Sequence, residues 1–377
     1  MKKLIIAAAA VAPLITFAGL YGDIPNAKHA WCVHDWNRPK PVKVAPADKC
    51  GGAPSDAIVL FDGTRESLDA NWQDEKGNPT KWEIKNGGFT SKVGWGLGSI
   101  RTKAEFGDCQ LHIEYRHNPD NVELGQGPQM RGNSGVFLMG FQYGYEIQVL
   151  ESYTTSKEME GKPGYVDNYA DGQAGSVYAE NPPLVNPARK CGEWQVYDIV
   201  FHQPRWVDGK LVHPGSVTVL FNGVLVQDHW EMEGQTTHCR RRPLAEHPTT
   251  GFLGLQDHGC EVTFRNIWIR PLASRWDNLT HSEMSADPAE VMKLRRETAA
   301  KLFAKIADPK AVNADTVKAL AEVVAYANEG DYQTSFANAL KAYRETKPAD
   351  EKEVKSVNDA LKVLIRGGIL QESDLIK

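Results

Sequence analysis

The stretch Tyr145-Glu-Ile-Gln-Val-Leu-Glu151 carries two carboxylates and an amide at a spacing that suits acid–base chemistry. Side chains of an extended strand alternate between its faces, so Glu146 and Gln148 share one side. A single β-bulge between Val149 and Leu150 would bring Glu151 round to join them. A second stretch, Leu255-Gln-Asp-His-Gly259, sets His258 at the end of a strand, beside Asp257 and on the parity of Gln256. An imidazole in that position is poised as a general base or a metal ligand, with a histidine satisfied inside its turn as the plain alternative. Arg131-Gly-Asn-Ser-Gly135 adds two glycines that allow close backbone approach, although a tight turn explains them equally. Trp95, between Gly94 and Gly96, is placed either to stack on a sugar ring or to pack under a loop.

With its bulge, the first stretch resembles the Glu-x-Asp-x-x-Glu strand of the jelly-roll glucanases, where two glutamates act as nucleophile and acid/base and the central aspartate tunes them. Here Gln148 takes the aspartate position. An amide hydrogen-bonds a sugar hydroxyl but carries neither proton nor charge, so a retaining glycosidase built on Glu146 and Glu151 lacks its tuning group. An ordinary solvated sheet face accounts for the same residues without chemistry.

The elements that must hold these side chains are strands. Leu253 and Leu255 alternate with Gly254 and Gln256, and Leu111, Ile113 and Tyr115 alternate with His112, Glu114 and Arg116, which is the period of half-buried strands. After the turn at Asp257 to Gly259, Val262 to Ile269 is bulky on both parities, as an inner strand would be. Further strands are expected at 57–61, 82–84, 134–138, 145–150, 194–201 and 217–221, with turns at Asn86-Gly87 and Asn222-Gly223. About a dozen strands in roughly 220 residues suggest a sandwich of two antiparallel sheets and not a barrel. Helical periodicity is hard to find before residue 288. Beyond it, Asp287 can cap a helix opened by Pro288, and amphipathic segments run about 314–328, 332–345 and 350–366. Nothing in this small all-α appendage suggests chemistry.

The chain has 377 residues, enough for two or three domains, and its 41% hydrophobic and 24% charged residues are those of a soluble protein. A net charge of −5 without a basic face argues against nucleic acid, and Arg240-Arg241-Arg242 reads as a solvated loop. Met1-Lys-Lys3 followed by an apolar run to Phe17 has the form of a secretory signal cut after Ala18, which places the mature protein in a periplasm or outside the cell. No stretch reaches the length of a membrane span. In an exported chain the six cysteines can pair; a Cys32–Cys50 bridge would clasp the proline-rich segment between them and contribute about 3 kcal/mol. The expected organisation is a signal peptide at 1–18, a proline-rich arm at 19–55, a strand domain at 56–272 and a helical region at 273–377.

Leu60-Phe-Asp-Gly63, Asn133-Ser-Gly-Val-Phe137, Tyr145-Glu-Ile-Gln-Val149, Gly172-Gln-Ala-Gly-Ser-Val-Tyr178, Gly192-Glu-Trp-Gln-Val-Tyr-Asp198, Leu255-Gln-Asp-His-Gly259 and Phe264-Arg-Asn-Ile267 resemble, in order and spacing, the 3-keto-disaccharide hydrolase domain family. The resemblance covers about residues 56 to 272. It implies a concanavalin-like jelly-roll sandwich and cleavage of 3-keto-glycosides, sugars already oxidised at C3 by a partner oxidoreductase. A ketone at C3 acidifies the hydrogen at C2, so a base can remove it, an acid can help the C1 substituent leave, and water can add back for net hydrolysis. No carboxylate nucleophile is required. On this reading His258 is the base or a metal ligand, Glu146 the second acid/base or a metal ligand, and Arg116, Asn133, Gln148, Tyr178 and Gln256 orient the sugar, with Trp95 stacking on it. A divalent metal could polarise the C2 and C3 oxygens. A retaining glycosidase and a non-catalytic carbohydrate-binding module are the alternatives.

Overall fold

The structure is a computed structural model that describes residues 20–121, 128–155, 160–163, 165, 167–273 and 288–377. The expected signal peptide and the Asp287 cap lie outside the described residues. The chain divides into two compact units.

The first is built of strands. In chain order these are β1 (Ile58–Phe61), β2 (Trp72–Asp74), β3 (Glu83–Lys85), β4 (Gly88–Thr90), β5 (Ile100–Phe106), β6 (Cys109–His117), β7 (Ser134–Leu138), β8 (Tyr145–Val149), β9 (Gln195–His202), β10 (Arg205–Val207), β11 (Lys210–His213), β12 (Ser216–Phe221), β13 (Val224–Glu231), β14 (Gly251–Leu255) and β15 (Val262–Pro271). One antiparallel sheet of eight strands runs β13-β12-β9-β6-β15-β4-β3, with β1 also paired to β15. A second, of five strands, runs β2-β5-β14-β7-β8. β10 and β11 form a separate ribbon. The turns behave as their residues dictate: Asn86-Gly87 has φ of 56° and 79° and Asn222-Gly223 has 53° and 80°, the two positive values that let a two-residue hairpin follow the strand twist.

Alternation sets the core. In β9 buried and half-buried residues alternate without a break, and Tyr197, Ile199 and Phe201 lie beside Ile113, Leu111 and Cys109 of β6, the next strand of the same sheet. β15 is bulky on both parities because its register shifts between Arg265 and Trp268, at Asn266 with φ 45°, so that Phe264 and then Ile267 and Ile269 all reach the interior. Burying such a side chain contributes about 1.5–3 kcal/mol. Two short helices escape the periodicity of the sequence: α1 (Arg65–Asn71), started by Thr64 accepting the Ser67 N–H, and α2 (Gly140–Tyr143).

The second unit combines α3 (Pro288–Phe303), α4 (Ala314–Tyr326), α5 (Gly330–Glu345) and α6 (Glu351–Arg366) with the described residues up to Val42. The start of the expected arm is thus part of a core: Ala30, Trp31 and Cys32 are buried with Val291, Ala299 and Leu302, and the Trp31 ring meets Tyr326 edge-on at 6.4 Å. Residues from Lys43 belong to the strand unit, where the Gly51 carbonyl accepts from Asn266 Nδ2 at 2.8 Å and Trp268 Nε1 at 2.9 Å. The Cys32–Cys50 bridge is not formed. All six cysteines are free thiols; Cys32 sits inside the helical core and Cys50 is exposed. No described helix is long and apolar enough to cross a membrane.

Candidate functional site

The five-stranded sheet keeps Tyr145, Ile147 and Val149 of β8 in the core, which turns Glu146 and Gln148 to the opposite face. β7 lies alongside in plain register, Gly135 opposite Gln148 and Phe137 opposite Glu146. A β-carbon at Gly135 would overlap Oε1 of Glu146, so this glycine makes the space the carboxyl occupies. Glu146 is 4% exposed and its carboxyl has no hydrogen-bond partner among the described residues. Burial alone pushes its pKa up to about 8, so the group is largely protonated at neutral pH.

On the far side of β8, the bridge Ile147–Val177 brings Tyr178 opposite Glu146, with the Tyr178 N–H donating to the Glu146 carbonyl at 3.0 Å. The Tyr178 hydroxyl lies 3.1 Å from that of Tyr169 and 2.8 Å from His238 Nδ1. Burial, then the Tyr169 hydroxyl, holds the Tyr178 phenol well above its usual range, so it stays a proton donor. Gln148 Nε2 donates to Asn133 Oδ1 at 3.1 Å, and Asn133 Nδ2 to the Gln129 carbonyl at 2.7 Å. Gln148 Oε1 is buried without a partner.

Gln256 and His258 follow β14, the strand beside β7. The Gln256 N–H donates to the Gly135 carbonyl at 3.1 Å, and its side-chain Oε1 is buried and unpartnered. His258 Nδ1 is unpartnered as well. Burial lowers the pKa of this imidazole, nearby His238 lowers it further, and the charge of Asp257 works against them. Asp257 braces the turn: it accepts the Gly98 N–H at 2.9 Å on one oxygen and the Gly259 N–H at 3.1 Å on the other. Trp95, 68% exposed, covers the imidazole at 4.8 Å between ring centroids, so it lies open at the rim instead of packing under a loop.

The structure therefore gathers Glu146, Gln148, Asn133, Tyr178, Gln256, His258 and Trp95 around the five-stranded sheet, a set with a neutral imidazole, a protonated carboxyl, a phenol and unpaired amide oxygens. Two expectations fail. Arg116 belongs to β6 of the other sheet and takes the parity opposite to Tyr115 and His117, which sends it to that sheet's outer face, over the Trp194 ring at 4.8 Å. It cannot orient the same sugar. The second concerns Glu151: after Val149, where β8 ends, the pairing slips by one residue, with Leu150 in the core and the Glu151 N–H donating to the Arg131 carbonyl at 2.9 Å, yet Glu151 is buried at 2% exposure, paired with Arg131 at 3.3 Å and close to Tyr115 and His117. Its carboxylate is taken up by Arg131 and exerts no charge effect on Glu146, so Glu146 and Glu151 do not form a double-displacement pair.

His238, Tyr169 and Thr236 were not legible as site residues, since they lie in irregular segments where no periodicity assigns a face. Thr236 Oγ1 accepts the Glu146 N–H at 2.9 Å and so ties its loop to β8. Among the described residues, no three His, Cys, Asp or Glu side chains converge as a metal-ligand set.

A family model described as a 3-keto-alpha-glucoside-1,2-lyase-like domain matches residues 56–270. A protein of Bacteroides thetaiotaomicron named 3-keto-disaccharide hydrolase is 25% identical over 247 residues, 57% of this chain and 78% of that protein. A crystal structure from Parabacteroides distasonis ATCC 8503, of a chain provisionally named a glycosyl hydrolase, is 39% identical, with a TM-score of 0.54 over 63% of this chain and 94% of that one.

Proposed function

Because the chain belongs to the 3-keto-alpha-glucoside-1,2-lyase-like domain family, a family of glycoside-cleaving type, we propose that it acts on glycosides carrying a ketone at C3 and breaks the C1 bond by elimination. The observation that carries this reading is Glu146: a buried, unpaired carboxyl whose pKa of about 8 is set by burial, with no charge from a second carboxylate among the described residues acting on it. Neutral His258 removes the C2 proton, whose acidity the C3 ketone supplies. The phenol of Tyr178 donates to the developing enolate oxygen, and Glu146 gives its proton to the departing C1 oxygen. The C2 electron pair forms the C1–C2 double bond through the enolate as the C1–O bond breaks, and water adding across that bond yields net hydrolysis. Gln148, Asn133 and Gln256 hold the hydroxyls, and Trp95 covers one face of the ring.

This chemistry needs a substrate already oxidised at C3, so a sugar C3-oxidoreductase must act first. The apolar run after Met1-Lys-Lys3 supports export, to a periplasm or beyond the cell. Incubation with a 3-keto-glucoside and with its unoxidised parent, followed by product identification, tests the reading. Cleavage of the keto sugar alone is expected; equal cleavage of both overturns it. Binding of the keto sugar with no turnover would make the domain a carbohydrate-binding module instead.

A further inference from the structure

The loop from Gly234 to Pro243 folds back on itself, with Gly234 and Pro243 forming a β-bridge and the Gln235 N–H donating to the Arg242 carbonyl at 3.1 Å. A β-carbon at Gly234 would run into that same carbonyl oxygen. Thr236 fastens the loop to β8 by accepting the Glu146 N–H at 2.9 Å and by donating its own N–H to the Gly144 carbonyl at 3.0 Å. Two residues on, His238 meets Tyr178, and Arg240, Arg241 and Arg242 follow. The arginine run is thereby held next to the residues that surround Glu146.

A cavity of about 250 Å³ opens under this loop, lined by Tyr178, Glu233, Gln235 and the three arginines among others. Gln235 is 4% exposed, and both atoms of its side-chain amide are buried without a hydrogen-bond partner. Buried amides are almost always bonded, so an empty-handed one in a cavity wall marks where a ligand completes the set. The charges in the wall are uneven. Arg241 faces Glu233 at 3.5 Å, and Glu180 is engaged by Trp230 Nε1 at 2.8 Å and by the Glu233 N–H. Arg242 makes one long bond, 3.4 Å, to the Gln142 carbonyl, and Arg240 has no partner among the described residues.

We propose that this cavity is the leaving-group subsite, and that it takes a leaving group bearing an oxyanion such as a carboxylate or sulfate, held by Arg240 and Arg242 and by the Gln235 amide. The inference rests on the proposed cleavage reaction, since Tyr178 belongs both to the cavity wall and to the face that holds Glu146. Guanidinium groups suit such oxygens because their N–H fork matches the planar pair.

Two 3-keto-glucosides test it, one carrying a 4-(carboxymethyl)phenyl group and the other the corresponding amide, whose methylene keeps the two phenols equal as leaving groups. At low salt the carboxylate substrate is expected to show a kcat/KM about fivefold higher, as for a partly exposed ion pair. That ratio should fall to about one in Arg240→Ala and as salt is raised. Equal kcat/KM for the two in the wild type, or a preference that survives both treatments, overturns the proposal. If neither substrate is cleaved, the reaction assigned above fails, and the cavity is still read by calorimetry with free 4-hydroxyphenylacetate and its amide. Tighter binding of the anion, lost in Arg240→Ala, supports the subsite; equal or absent binding of the two ends it.

Discussion

The carboxyl group of Glu146 lies across the backbone of Gly135 on the neighbouring strand, in the space that a β-carbon at 135 would fill. Gly135→Ala is therefore expected to displace the acid. A shift of about 1 Å in such a group costs on the order of 100-fold in kcat/KM, while overpacking costs about 1–3 kcal/mol of stability. Steady-state kinetics and thermal melting of the same preparation check both; unchanged kcat/KM would show that the position of Glu146 does not matter.

Glu146 also makes stability depend on pH. Its pKa rises from 4.5 to about 8 on folding, so between these values the folded chain keeps a proton that the unfolded chain has lost. Stability from this group is fullest below pH 4.5 and falls as the pH climbs towards 8. Glu146→Gln should flatten that slope in denaturant titrations at pH 5 and pH 8, and it should lower turnover by about 10²–10⁴ through loss of the proton.

The activity profile should be a bell. His258 has its pKa held below 6.5, so it is a free base at neutral pH, and the acidic limb should fall below pH 6.5. The alkaline limb should fall near pH 8, where Glu146 loses its proton. His258→Ala should abolish turnover in a chain that melts normally. Trp95→Ala should raise KM a few-fold with little effect on kcat, as loss of a stacking surface worth about 1 kcal/mol would.

Asp257 touches no sugar in the proposed reaction, yet it accepts both the Gly98 and the Gly259 N–H groups and so joins the two loops that carry Trp95 and His258. Asp257→Ala leaves two donors without an acceptor, at about 1–3 kcal/mol. A positioning role predicts a fall in kcat/KM beyond what the stability loss explains, partly rescued by Asp257→Asn, which keeps one acceptor. Equal kinetics for the alanine and asparagine variants would make Asp257 structural alone.

Much of the strand unit could be read from side-chain alternation, because a half-buried strand writes its two faces into the sequence: β7 matches its expected bounds, and the alternation from Leu111 to Arg116 falls within β6. Parity also placed Glu146 with Gln148 on one face of their strand, and Gln256 with His258 on the polar side of theirs. It could not say which sheet Arg116 would enter, since strands of both sheets alternate identically. Nor could it foresee that Arg131 would take up the carboxylate of Glu151. His238 and Thr236 lie in a segment held by single side-chain bonds, where no period exists to read. The first helices were hidden for a similar reason: a single capped turn or two, such as α1, is too short to show a stripe.

The helical unit has its first residues at one end of the chain and the remainder at the other, with the whole strand unit made in between. On a ribosome working at about 10 residues per second, Trp31 would emerge roughly half a minute before the helices that shelter it. For that interval an indole and a thiol destined for the interior have only water or a chaperone for company, and a chain cut short before α3 would never bring them shelter.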